Sequence, residues 1–445
     1  MRRPAWIESA LWAAACSKLF ILVYGGCTWI TDRRIDVGSI QFEWERRLPF
    51  IPGMILPYWS LDLFFLGSFF LCTDRKERRI LGGRITAAIL GAGVCFLLFP
   101  LKMKVTRPAG AGSWKPLFDV LWSFDRPYNL FPSLHIALVT ILAEHYARHT
   151  RGLLHTGILG WFALVAVSTL LTWQHHAIDL AGGFVLGLLC LRLVGGAPAA
   201  FPTPARPRIG GYYLLASAAA FGLASVLPPA GLILLWPALS LALVAAGYFG
   251  AGPAVYGKSG PSLPFSAAIL LAPCLAGQVL SWAFYRRRGA VSNTVAPGVR
   301  IGAWPTEGEA RRAVREGVRA VLDLTAEFPE AAAFRSVEYH NIPVLDLTAP
   351  TPAQLQEAVG FIEEQSRREI VYVHCKAGYS RSAAAVGAWL LDSGRAASAE
   401  DAIALLRKIR PQIVVRPEVR RALEDWERAG RRTPLRLEAE AQPRV

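Results

Sequence analysis

No two of the seven cysteines in this chain are spaced as CxxC, so the ligand spacing of a zinc ribbon and the motif of a dithiol oxidoreductase are both absent. Cys16, Cys27, Cys72, Cys95, Cys190 and Cys274 lie in or at the ends of apolar blocks, with no pattern that predicts disulfide pairing, and only Cys375 has a soluble context. A single continuous basic patch is missing too. The net charge is +15, but much of it sits in short loops beside apolar blocks. That distribution excludes nucleic acid as the expected partner and fits membrane topology with attraction to anionic head groups. A removable leader is not expected either. "MRRPAW" opens like one, but the apolar block over 9–30 is long and more blocks follow, which predicts an uncleaved first helix.

What is present is apolar residue, 53% of the chain, with a mean hydropathy of +0.33 that is too high for an ordinary soluble protein. It is gathered in blocks of about 20 residues, the length that crosses a bilayer core as a helix. Spans are expected near 9–30, 51–72, 85–101, 133–149, 153–172, 177–195, 211–227, 230–250 and 264–285. The Pro/Gly-rich stretch "GGAPAAFPTPARPRIGG" reads as a connector after the sixth span. From about Ala290 the character changes. Short apolar runs in "GVRAVLDLTAE", "SVEYHNIPVLDLT" and "EIVYVHCKAG" alternate with helical periodicity, which predicts an α/β domain with a central, largely parallel sheet. The expected division is a membrane domain over 1–200, a connector with additional helices over 201–288, a soluble domain over 289–432 and a tail over 433–445.

Within that domain "HCKAGYSR" reads as strand, tight loop, helix. Backbone N–H groups of such a loop and the helix N-terminus can cradle an anion. Their positive field, with His374, favours a thiolate at Cys375, and His374 is expected among the substrate-binding residues. Arg381 can take two phosphate oxygens bidentately and Ser382 can hydrogen-bond the departing sulfur. Asp346, after the strand in "NIPVLDLTAP", is placed to protonate a leaving oxygen, while Asp323 competes but lies inside a strand-like run. The stretch over 295–430 resembles the cysteine-based protein tyrosine phosphatase superfamily, in particular its dual-specificity branch. The loop fits H-C-x2-G-x2-R-[ST], with Gly378 inside it. The resemblance implies Cys375 as nucleophile, Arg381 as phosphate binder and Asp346 as general acid, acting on phosphoproteins, phosphoinositides, phosphatidylglycerophosphate or RNA ends.

The apolar blocks carry polar residues that are costly there and are functional candidates for that reason. His175 and Asp179 stand four apart on one helix face, so the carboxylate can orient the ring and support charge on it as its other nitrogen attacks. His135 could protonate a leaving group, and Lys104, Arg107 and Ser133 could neutralise a phosphate. His176 reads as a bystander, and His145, His149 and His155 as interfacial residues at a turn. The region over 50–195 resembles the type-2 phosphatidic acid phosphatase superfamily, which implies a six-helix core and a histidine nucleophile. Ser168, His175 and Asp179 keep the spacing of that family's third motif, and "PSLH" replaces PSGH. Thr169 replaces the motif's arginine and the first motif's lysine spacing is not kept, so the phosphate clamp is weaker or rearranged. The looser pattern is similar to the sphingolipid head-group transferase branch.

Lys/Arg-rich loops after the second span, around Arg148 and Arg151, and at Arg206 and Arg208 are expected on the cytoplasmic side of a bacterial-type inner membrane, which puts His135 and His175 on the outer face. The soluble domain is also expected in the cytoplasm, with 211–227 as the segment that fails to cross. Two phosphate-cleaving centres on one chain imply a bifunctional lipid phosphatase that needs no metal or other cofactor. One alternative is a head-group phosphotransferase with a product-trimming phosphatase. The other is a membrane-anchored protein phosphatase whose membrane part is inactive.

Overall fold

The computed structural model describes residues 4–104, 110–195, 205–227, 230–287 and 289–432. They form two compact units, Met1–Gly196 and Ala197–Val445.

The first unit is helical: α1 (Ala5–Thr31), α2 (Ile55–Leu71), α3 (Arg75–Leu98), α4 (Lys115–Phe124), α5 (Leu134–His149), α6 (Gly152–Leu171) and α7 (Ala177–Leu193). Polar caps fix where the helices begin. Asp74 accepts from the N–H of Glu77 at the start of α3, and Ser133 accepts from the N–H of Ile136 at the start of α5. The span expected over 85–101 therefore starts earlier, because the charged "RKERR" winds into the first turns of α3. α5 and α7 cross closely at Gly183, where an added Cβ would lie 2.3 Å from the carbonyl oxygen of Ser133. That approach brings the start of α5 to the start of α7.

The second unit opens with a helical hairpin, α8 (Pro207–Val226) and α9 (Leu235–Ala246), whose open end is closed by Arg206 N–H donating to the Tyr248 carbonyl at 2.6 Å. Two shorter helices follow, α10 (Phe265–Leu270) and α11 (Ala272–Arg286). Among the described residues, six helices are long and apolar enough to cross a membrane: Ala5–Thr31, Pro52–Leu71, Arg75–Leu98, Gly152–Leu171, Pro207–Val226 and Ala230–Val255. The expectation for the last segments needs correction. Pro207–Val226 is a full 20-residue helix, whereas the block at 264–285 breaks between α10 and α11. The 15 residues of α11 rise about 22 Å, short of the roughly 30 Å of a hydrocarbon core.

The remainder is β1 (Ser292–Ala296), β2 (Val299–Ala303), α12 (Glu307–Arg315), β3 (Val318–Thr325), β4 (Glu338–Val344), α13 (Pro352–Ser366), β5 (Ile370–Cys375), α14 (Arg381–Asp392), α15 (Ala399–Ile409) and α16 (Pro417–Arg432). The sheet order is β1-β2-β5-β3-β4. Only β1 and β2 pair antiparallel, and the other three pairings are parallel, as the alternation of strands and helices predicts. β5 is central, and its Val371 and Val373 pack in a core with Ile301, Leu322, Val344, Ile362, Val386 and Trp389. Ligands of such sheets bind beyond the carboxyl ends of the strands, and Cys375 ends β5 in register with Ala303 at the end of β2.

Candidate active site

The loop from Lys376 to Ser380 joins the end of β5 to the first turn of α14. Gly378 makes the turn possible. Its φ is +72°, and a Cβ there would sit 2.5 Å from the backbone of Gly302. Arg410 clamps the loop from below, donating to the carbonyls of Gly378 (3.0 Å) and Ala377 (3.2 Å), and a third donation reaches Ala290 (2.8 Å).

The Cys375 sulfur lies 3.4 Å from the Ser382 hydroxyl. Burial pushes the thiol pKa up, but the Arg381 charge, the Ser382 hydroxyl and the N–H groups of Ser382 and Ser380 outweigh it, so the net direction is down. A thiolate held by backbone N–H groups at a helix N-terminus is a poised nucleophile. The Arg381 guanidinium is buried and forks onto Glu327 at 2.6 and 3.0 Å. It also donates to the Val344 carbonyl (2.8 Å) and to the Asp346 carboxylate (3.2 Å).

Asp346 follows β4, with Leu347 beside it in the left-handed region at φ +59°. Its carboxylate also pairs with the Lys376 ammonium. Burial works to raise the Asp346 pKa, but Arg381 and Lys376 overcome it and the carboxyl is held below its ordinary value. Cys375, Arg381, Asp346 and Ser382 are therefore brought together.

His374 is not part of the anion-facing set. Successive residues of a strand point to opposite faces, and His374 is fully buried with Nε2 2.8 Å from Glu330 and 3.8 Å from Asp323. The expectation that it touches substrate is corrected to a support beneath the loop. Asp323 is likewise structural, buried and paired with the Lys258 ammonium from the α9–α10 connection.

Sequence reading missed Glu327, Lys258, Arg410 and the contacts of the α8–α11 helices. Lys376 donates to Gln278 (2.8 Å) and to Ser281 (3.3 Å), both on α11. The Tyr248 hydroxyl, just past α9, donates to the Asp346 carbonyl at 2.9 Å, and Tyr379 donates to the Tyr285 carbonyl at 2.8 Å. The positive residue inside the phosphate loop was the one available signal, since Lys376 needs a partner wherever it is buried.

In the first unit, the Ser133 hydroxyl is 3.0 Å from His175 Nε2, and His175 Nδ1 is 3.6 Å from Asp179. The last distance is beyond hydrogen bonding, because that Asp179 oxygen accepts from the His176 N–H at 2.8 Å. His175 Nδ1, the other Asp179 oxygen and His135 Nε2 are buried without a partner. His135 stacks on Tyr58, and both histidines line a cavity of about 480 Å³ with Tyr58, Asp62 and Asp125. One expectation is corrected. Ser133 is fully buried and committed to His175 and the α5 cap, so it is not free to neutralise a phosphate. The Lys104 side chain is exposed, and its backbone N–H faces His176 Nε2 at 3.4 Å. Arg107 lies outside the described residues. His176 is buried against Glu45, with Nδ1 2.7 Å from the carboxylate.

Residues 301–429 match the family profile "Dual specificity phosphatase, catalytic domain". The chain is 37% identical over 134 residues to "Phosphatidylglycerophosphatase and protein-tyrosine phosphatase 1" of Homo sapiens, covering 28% of this chain and 66% of the relative. To the protein of the same name in Rattus norvegicus it is 37% identical over 139 residues, 29% of this chain and 72% of that one. Among solved structures, "Crystal Structure of PTPMT1 in complex with PI(5)P" aligns with 30% identity over 32% of this chain and 100% of that chain, at a TM-score of 0.30.

Proposed function

Because the chain belongs, through residues 301–429, to the dual specificity phosphatase family, we propose that it is a membrane-bound phosphatase whose cysteine centre removes a phosphomonoester from a phospholipid head group. Cys375 attacks phosphorus and the ester oxygen leaves with a proton from Asp346. Arg381 holds two of the phosphate oxygens through attack and through hydrolysis of the cysteinyl-phosphate. Arg381 and Lys376 bind Asp346 in the free site, so an incoming phosphate dianion competes for both cations. Losing them raises the Asp346 pKa and lets it carry the proton it must donate.

The observation that carries the lipid reading is the hold of the apolar helices on the site. Gln278 and Ser281 of α11 grip Lys376, and Tyr248 beside α9 grips the acid loop. A substrate reaching Asp346 passes helices that are apolar on their outer faces, with Leu280 and Phe284 exposed on α11. Relatives named for phosphatidylglycerophosphate hydrolysis agree with that substrate class. In this reading the two candidate spans Pro207–Val226 and Ala230–Val255 cross and return the chain to the side of its connector. Arg206 of the connector donates to Glu418 of α16 at 2.7 Å, which supports reading the phosphatase domain on the same, basic side, the cytoplasmic one in this proposal.

A second centre is favoured by one geometry. Ser133 sets the His175 ring, Asp179 stands behind it and His135 faces the same cavity. In this reading His175 takes a phosphoryl group from a lipid phosphate, or transfers it to an alcohol acceptor.

The test is phosphate release by the purified full-length protein in detergent. The substrates are phosphatidylglycerophosphate, phosphoinositides, phosphatidic acid, isoprenoid pyrophosphate and a phosphotyrosine peptide, with Cys375→Ser and His175→Ala alongside. Phosphomonoester release from lipid that is lost in Cys375→Ser is the expected result. Turnover of the peptide alone would overturn the lipid reading and leave a membrane-anchored protein phosphatase. Unchanged lipid activities in His175→Ala would remove the second centre.

A further inference from the structure

One cluster in the first unit is used by neither centre. Glu77 in the first turn of α3 and His145 and His149, one turn apart near the end of α5, bring a carboxylate oxygen and two ring nitrogens within 4.8 Å of one another. Two histidines four apart share a helix face, a spacing that suits a metal ion.

The hydrogen bonds around the cluster decide which atoms face inward. His145 Nε2 lies 3.0 Å from the Ser68 carbonyl, which can only accept, so Nε2 carries the hydrogen and Nδ1 presents a lone pair. His149 Nδ1 lies 2.9 Å from the His145 carbonyl, so by the same argument its Nε2 presents a lone pair. One Glu77 oxygen accepts from the Thr73 N–H (2.8 Å) and hydroxyl (3.0 Å). The other is 3.2 Å from His149 Nε2 and 3.9 Å from His145 Nδ1. Two lone pairs and a carboxylate oxygen converge, and they repel unless a cation sits among them. A proton on His149 would satisfy one pair but leave His145 Nδ1 beyond hydrogen-bond reach of Glu77. A tetrahedral ion with bonds near 2.0–2.1 Å would hold its ligand atoms about 3.3 Å apart; the His149–Glu77 pair stands at 3.2 Å, while the His145–Glu77 pair at 3.9 Å and the two histidine nitrogens, within 4.8 Å, would close onto it.

The other such triad among the described residues, Asp323, Glu330 and His374, already holds a cation, the Lys258 ammonium on Asp323. No lysine or arginine is ion-paired with Glu77 among the described residues. Arg84, Arg148 and Lys76 line the adjoining cavity of about 230 Å³ with Glu77 and His145; the two arginines are paired with Glu144, and Lys76 makes no ion pair with Glu77. That cavity leaves room for a water or an anion as fourth ligand.

We propose that Glu77, His145 and His149 bind a divalent transition metal of the zinc class, clamping the start of α3 to the end of α5. Ring nitrogens whose opposite nitrogens donate to backbone carbonyls, and a carboxylate held through its other oxygen, are the outer support such ligands need.

The experiment uses full-length protein purified in detergent without a histidine tag, stripped with a chelator and titrated with Co²⁺ as an optical probe, then with Zn²⁺. The expected result is one equivalent of Co²⁺ with visible absorption of a tetrahedral N/O site, displaced by Zn²⁺, and a rise in unfolding temperature with Zn²⁺. Affinity falls at least about 100-fold, the upper end of outer-shell losses, in both Glu77→Gln and the less buried His149→Gln. A wild type that binds no stoichiometric Co²⁺ overturns the proposal, and so does binding unchanged in both variants. A sulfur-to-cobalt charge-transfer band would put the ion on a cysteine and overturn it equally. If either variant fails to fold, the wild-type spectrum and the other variant still decide.

Discussion

At the scale of single residues, the proposed reaction turns on one carboxylate with two cations. Asp346 is expected to matter in proportion to the basicity of the leaving group. Asp346→Asn should slow phenyl phosphate turnover by about 10²–10⁴-fold, the usual weight of a general acid. The effect on p-nitrophenyl phosphate should be far smaller, since that leaving group departs as a stable anion, and the ratio of the two rates is the measurement. In the proposed reaction Lys376 positions this acid. Removing its charge in Lys376→Met lifts the Asp346 pKa, so the protonated acid persists to higher pH. The basic limb of the kcat/KM profile should then move upward relative to the wild type. Cys375, Gly378, Arg381 and Ser382 were legible because one loop carries them at fixed spacing. Glu327, Gln278 and Arg410 were not, since each reaches the loop from a part of the chain at least 32 positions away and no local pattern announces it.

At the scale of elements, β3 and β5 share a buried charge network. Lys258→Met would leave Asp323 buried without its cation and should cost about 3–5 kcal/mol, read as a fall in unfolding temperature. Adding Asp323→Asn should recover part of it. His374 supplies a pH signature. Burial works against its charge, but Glu330 and Asp323 outweigh that and raise its pKa above 6.5. A group with a raised folded pKa stabilises fully below its unfolded value, so this contribution is present below pH 6.5 and is lost as pH climbs through the higher folded value. The unfolding temperature should therefore decline over that window in the wild type. Glu330→Gln should start lower and show a shallower decline. The strands were readable as short apolar runs, and the parallel order followed from their alternation with helices. The break between α10 and α11 had a local signal that hydropathy alone passes over, Pro273 in the first turn of α11, whose ring cannot continue the helix of α10.

At the scale of the whole molecule, the proposed two centres should separate genetically. Cys375→Ser should abolish the phosphomonoester activity while leaving any His175-dependent activity, and His175→Ala should do the reverse, measured on one detergent preparation. The helical half was legible as membrane-like from hydropathy alone. How α8 to α11 serve the phosphatase half was not, because a hydropathy plot sees spans and not what their connections touch. That service bears on how the catalytic half can be handled. A fragment starting at Val291 would lose Lys258, Gln278, Ser281 and the Tyr248 hydroxyl together. Inhibitors selected against such a fragment would be fitted to a mouth with one wall removed and an acid loop without its brace, and would be ranked in the wrong order for the intact enzyme.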